Sequence, residues 1–425
     1  MRQNFKDMEA EIIKSDSQSV TLQVTIALTK DMLSSEEAIQ QGIHQAGLLA
    51  TEYSLSRFDT DGTAITVGEK KYTSKGKNSK TYQCPYGEFE LLRHVYQSNE
   101  GGSTYCPLDH DARILVYSTP KFAQMVSNKY SGSGSVRVQR DLKDNHGRYI
   151  SCTYIQDISN SVGTVASEKP WQYTAGVDAS EVSSMAFSLD GTCMLLREDG
   201  WRQAMVGSIS LYDSEGERLH TTYIAQAPEH GKERFYRDFT KEIQFFKKQY
   251  QEKTYVGVAD GAADNWRFLQ PFVDEQILDY FHATEYLAKV SKAAFKRKFE
   301  GKEWLTKSCH ILKHEANSAK RLLKEMAELK KKKISKAKKD DIDAAITYFS
   351  NHLAQMDYAT FSSKKLPIGS GVIEAACKVI IKQRMCNSGM RWTEDGAKNI
   401  LVLRCFTETD GKWEQFWNKI TKMGY

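Results

Sequence analysis

Three acidic residues far apart in the chain, Asp190, Asp260 and Glu374, each sit where a carboxylate could serve phosphodiester chemistry. Breaking or transferring a phosphodiester without a covalent protein intermediate needs two divalent ions about 3.5–4 Å apart, held by a few carboxylates around the phosphate. Mg²⁺ wants oxygen ligands and keeps several waters, so three carboxylates from separate elements suffice, and Mn²⁺ can substitute. Taken singly, each acid has an ordinary explanation. Asp190-Gly191 and Asp260-Gly261 can be turns, and Glu374 can pair with Lys378 one helical turn on. Their element types and order together favour a common site, with Asp178, Asp264 and Glu394 as rivals.

The elements that must position them can be read from periodicity. Met185, Phe187 and Leu189 alternate with Ala186, Ser188 and Asp190, which predicts a strand with three large apolar side chains on one face. A return run from Ala204 to Tyr212, a turn at 213–216 and a third run from Arg218 to Ala225 make a meander. Phe235, Phe239, Ile243 and Phe246 then recur at helical spacing. The run 254–260 suits a buried parallel strand ending in Asp260, and 276–282 reads as a further strand. The order β-β-β-α-β-α-β implies an α/β fold, a mixed sheet with helices on its faces. Glu374 falls in the first turns of a helix over 372–385, behind Gly369-Ser-Gly371. There backbone N–H groups point towards anions and glycine lets a ligand approach closely.

At 425 residues, two or three domains are expected. Lys and Arg exceed Asp and Glu by 59 − 54 = 5, a small surplus that is unevenly placed. No run of about 18 apolar residues predicts a membrane span. The opening MRQNFKDMEAEIIK is charged throughout, so no secretory leader is expected and a cytoplasmic, nucleoid-associated location is. The 8 cysteines include no Cys-x-x-Cys pair and are expected as reduced thiols. A zinc site from Cys84, Cys106, His94 and His110 fits no close ligand spacing.

Residues 1–117 read as an α/β arm, with the basic stretch from Glu69 to Lys80 a solvated loop, the alternative being a phosphate contact. Residues 118–166 hold a helix to about Tyr130, a Ser-Gly break, a Gly-containing turn at 145–147 and a helix from about Ser151. That is a helix-turn-helix pattern, whose second helix reads the major groove. Thr153, Tyr154 and Gln156 would face outward, while Arg137, Arg140, Lys143 and Arg148 would grip phosphates. Residues 167–179 read as a linker, 180–284 as the first part of the core, 285–366 as a helical Lys-rich insertion and 367–425 as its C-terminal helices. The last of these adds Lys382, Arg384 and Arg391 as DNA contacts.

The segments SLDGT (188–192), REDGWRQAMVG (197–207), GVADGAADNW (257–266), LDYFHATEYL (278–287) and GSGVIEAACK (369–378) resemble those of ISKra-type bacterial insertion-sequence transposases. These belong to the Asp-Asp-Glu group that includes Mutator-like elements, and the likeness covers most of the chain from about residue 80 onward. It implies a ribonuclease H-like fold with Asp190, Asp260 and Glu374 as the metal triad. It also implies a helical insertion between the second and third acids, matching gaps of 260 − 190 = 70 and 374 − 260 = 114 residues. Asp279 and His282 match the group's Asp-x-x-His signature as accessory residues. The expectation is a Mg²⁺-dependent transposase acting on double-stranded DNA as a homodimer or larger assembly. The alternatives are a domesticated DNA-binding regulator and a ribonuclease H-like structure-specific nuclease.

Overall fold

The computed structural model describes residues 9–168, 173–229 and 231–423. The chain divides into two compact units, 1–170 with 414–425, and 171–413.

In the first unit, β1 (Glu9–Ser15) and β2 (Val20–Thr25) form an antiparallel pair. A helix follows over Met32–Ser56, started by Asp31, whose carboxylate accepts the Ser34 N–H at 2.8 Å. Next, β3 (Ile65–Val67), β4 (Lys70–Cys84) and β5 (Gly87–Ser98) make an antiparallel sheet in the order 3-4-5. The stretch Lys70–Lys80, expected as a loop, is therefore most of a strand. Its backbone groups are paired with β5 from Tyr72↔Ser98 onward, and a solvated ribbon needs no apolar alternation of its own. A short helix, Pro107–Asp111, is followed by the helices Pro120–Gly132, Ser135–His146 and Cys152–Glu168. Phe122 and Val126, Val138 and Leu142, and Ile155, Ile158 and Val162 supply their buried faces.

The second unit is built on a mixed sheet of β6 (Ser184–Leu196), β7 (Gly200–Tyr212), β8 (Arg218–Gln226), β9 (Thr254–Ala259) and β10 (Glu275–Leu278). Its order is 10-9-6-7-8, with β7 antiparallel to both β6 and β8, and β9 parallel to both β6 and β10. The predicted order of elements is the observed one. Because β6 is central, both of its faces are covered, and Ala186 and Ser188 are as buried as Phe187.

The last strand stops earlier than expected. Leu278 ends it, and Asp279 starts the helix Tyr280–Ala294, its carboxylate accepting the His282 N–H at 2.7 Å. An aspartate at that position competes with continued strand, which is why the apolar run misleads. Helices Lys298–His314, Ser318–Lys330 and Lys336–Asn351 form the insertion and share one core with the sheet. Glu374 lies in Gly371–Ala376, which runs into a π-helical turn over Cys377–Lys382 packed on β6.

The helix Glu233–Gln249 lies on β7 and β8 with Phe235, Phe239, Ile243 and Phe246 buried. Gly207 makes room for Phe239, since a Cβ there would stand 2.9 Å from the ring. Phe239→Ala should lower the stability of this unit by about 3–5 kcal/mol, read from urea unfolding. A loss under about 1 kcal/mol would show that this ring does not anchor the sheet.

Candidate metal centre

Asp190 and Asp260 reach the same level of the sheet by backbone register. β6 and β9 run parallel, and their last paired residues are Phe187 and Gly257. Each aspartate lies three residues beyond its own member of that pair, Asp190 in the middle of β6 and Asp260 just past the end of β9. Parallel neighbours are about 4.8 Å apart, so the carboxylates face a common space.

Their hydrogen bonds separate the oxygens that are held from those left open. Asp190 Oδ1 accepts the Gly191 N–H at 2.7 Å, and the Cys377 thiol stands 3.7 Å from Oδ2. Asp260 Oδ1 accepts both the Ala262 N–H (3.1 Å) and the Asn265 side-chain amide (3.0 Å). That same Asn265 nitrogen is 3.5 Å from the Leu189 carbonyl, so one buried amide ties the Asp260 turn to the residue before Asp190. Burial raises the Asp190 carboxyl above its ordinary range, the Gly191 N–H works against this, and the Asp260 charge adds to the rise.

Glu374 approaches from the helical side. Its Oε1 accepts from the Ser370 hydroxyl at 3.3 Å and lies 3.9 Å from His282 Nδ1. Three residues on, Cys377 binds Asp190. Burial, then the Asp190 and Glu374 charges, push that thiol's pKa up, which places it between the two acids electrostatically. The Lys336–Asn351 helix adds Tyr348, whose ring would stand 2.5 Å from a Cβ at position 261. Only glycine fits after Asp260 there.

Ligand atoms of Asp279, His282 and Glu374 lie within 4.8 Å of one another. Asp279 is fully buried, however, and both its oxygens are occupied, Oδ1 by the His282 N–H and Oδ2 by the Ser370 N–H. It acts as a strut holding β10, the Tyr280 helix and the Ser370 turn together. His282 Nδ1 is buried without a hydrogen-bond partner among the described residues, 3.4 Å from Asp279 Oδ1. Asp190, Asp260 and Glu374 do not form such a group: their ligand atoms do not all lie within 4.8 Å of one another.

The rival acids are engaged elsewhere. Asp178 accepts from Ser180, Asp264 pairs with Arg267 at 3.1 Å and Glu394 with Arg234 at 3.6 Å. Among the described residues, Cys84, Cys106, His94 and His110 form no metal-binding group, and burial pushes the Cys106 thiol up to about 11.

Of the predicted DNA contacts, Arg137, Arg140, Lys143, Thr153, Gln156, Lys382 and Arg391 are exposed. Three others are not available. Arg148 is 7% exposed and donates to the Cys84 carbonyl at 3.1 Å and to the Gln83 side chain. Tyr154 is half-buried, its hydroxyl donating to the Val116 carbonyl at 2.6 Å. Arg384 is 2% exposed, 5.0 Å from the centroid of the Trp392 ring. Residue type alone cannot distinguish an arginine that meets solvent from one that satisfies buried carbonyls.

Asn265, Cys377 and Tyr348 were not foreseen, since amide, thiol and phenol side chains carry no spacing signal until the chain is folded. No protein-family model matches this chain, and no curated protein matches it.

The raised Asp190 carboxyl gives a signed pH effect. A folded-state pKa above the unfolded 3.8 means that ionisation costs stability as pH rises from that value through the folded pKa. Asp190→Asn should therefore unfold at higher denaturant than wild type at neutral pH, and the gap should close as pH falls towards 3.8. A variant less stable at neutral pH would overturn the electrostatic account.

Proposed function

We propose that the chain is a DNA transposase of the Asp-Asp-Glu class, which cuts the ends of a mobile element and joins the freed 3′-hydroxyl to target DNA. The observation that carries this is the register-matched pair Asp190 and Asp260, with Glu374 tied to it through Cys377. The sheet supports a ribonuclease H-like fold, since its antiparallel meander is extended by two parallel strands on the side of β6.

The donor set fits a hard divalent cation such as Mg²⁺. The groups offered are carboxylate oxygens, and burial together with the Asp260 charge raises the Asp190 carboxyl although the Gly191 N–H, the Cys377 thiol and His282 work against it. Held by Asp190, Asp260 and Glu374, the ions would supply Lewis acidity to the attacking and leaving oxygens. The protein's own contribution is positioning. Asn265 fixes one oxygen of Asp260, Cys377 restrains Asp190, and Ser370 orients Glu374. His282 stands between Asp279 and Glu374, where it can steady a ligand carboxylate or meet an anionic substrate.

Exposed Arg137, Arg140 and Lys143 on one helix, and Thr153 and Gln156 near the start of the next, suit a duplex contact in the manner of a helix-turn-helix. Lys382 and Arg391 would add phosphate contacts beside the carboxylates. Bringing two element ends together implies a homodimer or larger assembly, with DNA binding that weakens steeply with salt.

Labelled duplexes carrying candidate terminal inverted repeats, incubated with Mg²⁺ and a target plasmid, should give cleaved and then joined products. Cleavage without joining would make the chain a nuclease, and retarded but intact DNA a regulator. Asp190→Asn should abolish products by at least about 10³-fold while leaving DNA retention within about twofold. Mg²⁺ at 100 times its Kd should stabilise wild type by about 2.7 kcal/mol and leave Asp190→Asn unmoved.

A further inference from the structure

The first unit contains a cleft of about 640 Å³ between the β4–β5 ribbon and the start of the Cys152–Glu168 helix. Two tyrosines on its lining stay open to solvent, Tyr149 at 71% and Tyr117 at 42% exposure. Both rings are therefore accessible to a ligand in the cleft.

The backbone beneath Tyr117 is strained. Val116 and Tyr117 hold φ at 49° and 58°, a region that β-branched and bulky side chains avoid. Both are pinned there. The Tyr154 hydroxyl donates to the Val116 carbonyl at 2.6 Å, and the Gln83 N–H donates to the Tyr117 carbonyl at 2.8 Å. Strain secured from two sides marks a position that the fold maintains for a purpose other than its own stability. Its effect is to set the Tyr117 ring beside Lys80, whose ammonium lies 3.4 Å from the ring centroid.

A polar chain holds the rest of the cleft. Buried Arg148 donates to the Gln83 side-chain oxygen, and the Gln83 amide donates to Glu88 Oε2 at 2.8 Å. Glu88 Oε1 is left to accept from a ligand, while Glu90 is engaged by Ser79. One ammonium against two carboxylates makes a poor phosphate groove. The same groups suit a flat ligand with donor hydrogens on its edge.

We propose that this cleft takes one unpaired nucleobase bearing an exocyclic amino group, that is cytosine, adenine or guanine and not thymine. The base stacks on Tyr149, its amino group donates to Glu88, and the adjoining phosphate meets Lys80. Thymine presents a carbonyl oxygen in place of the amine and is repelled by Glu88. Nothing in this binding depends on the carboxylate centre.

Fluorescence anisotropy of the full chain with single strands of dC, dA or dT, each about eight nucleotides long, tests it. The dC and dA strands should bind about tenfold tighter than dT or a duplex of equal length. Tyr149→Ala, a change on the surface that should leave thermal unfolding unaltered, should weaken dC binding about tenfold. Glu88→Gln should remove the preference over dT. Equal affinity for all strands, or undiminished binding by Tyr149→Ala, would overturn the assignment. Failure of strand joining with these preferences intact would count against the transposase instead.

Discussion

The parallel pairing of β6 with β9 is the constraint on which the site depends. A strand register is discrete, because a slip of one residue turns every side chain to the opposite face. With Phe187 fixed opposite Gly257, Asp190 and Asp260 have no freedom to part along the strand direction. Two like charges are thereby brought near one another in a partly buried place, where burial first and the Asp260 charge after it raise the Asp190 carboxyl. The large core behind the sheet, including Phe187, Phe239, Val256 and Ile277, is what holds them there.

How each carboxylate uses its oxygens separates structural acids from available ones. Asp279 gives both oxygens to backbone N–H groups and is sealed from water. Asp260 gives only Oδ1, to two donors in its own turn and helix. Glu374 accepts a single side-chain bond and stays exposed. Buried anions must be paired or hydrogen-bonded, so the fully satisfied member is a strut and the partly satisfied members can still receive a ligand.

Much of the second unit was legible because its periodicities are strong. The alternation of Met185, Phe187 and Leu189 and the helical spacing of Phe235, Phe239, Ile243 and Phe246 both state which face is buried. The order of elements followed from those patterns. What failed, failed where a local pattern and a tertiary partner disagree. Lys70–Lys80 looks like a loop, yet it is a strand because β5 satisfies its backbone. The run 276–282 looks like one strand, yet Asp279 caps a helix within it. Arg148 and Arg384 look like phosphate ligands, yet each is enclosed, Arg148 by carbonyl and amide oxygens that no sequence window contains.

The helical insertion shows why separation along the chain is a poor guide to function. It looks like an appendage carrying a run of lysines, but Lys330 pairs with Asp343 at 2.5 Å and Lys332 lies 4.3 Å from the centroid of the Phe295 ring, so part of that charge is spent internally. Meanwhile its Lys336–Asn351 helix sends Tyr348 against Gly261, next to Asp260, and stacks that ring on Tyr286 at 4.0 Å. Close-packed contacts of this kind do not deform gradually. Displacing the insertion would therefore reach the Asp260 turn through Tyr348 before it reached any lysine, which makes the insertion part of the packing around Asp260.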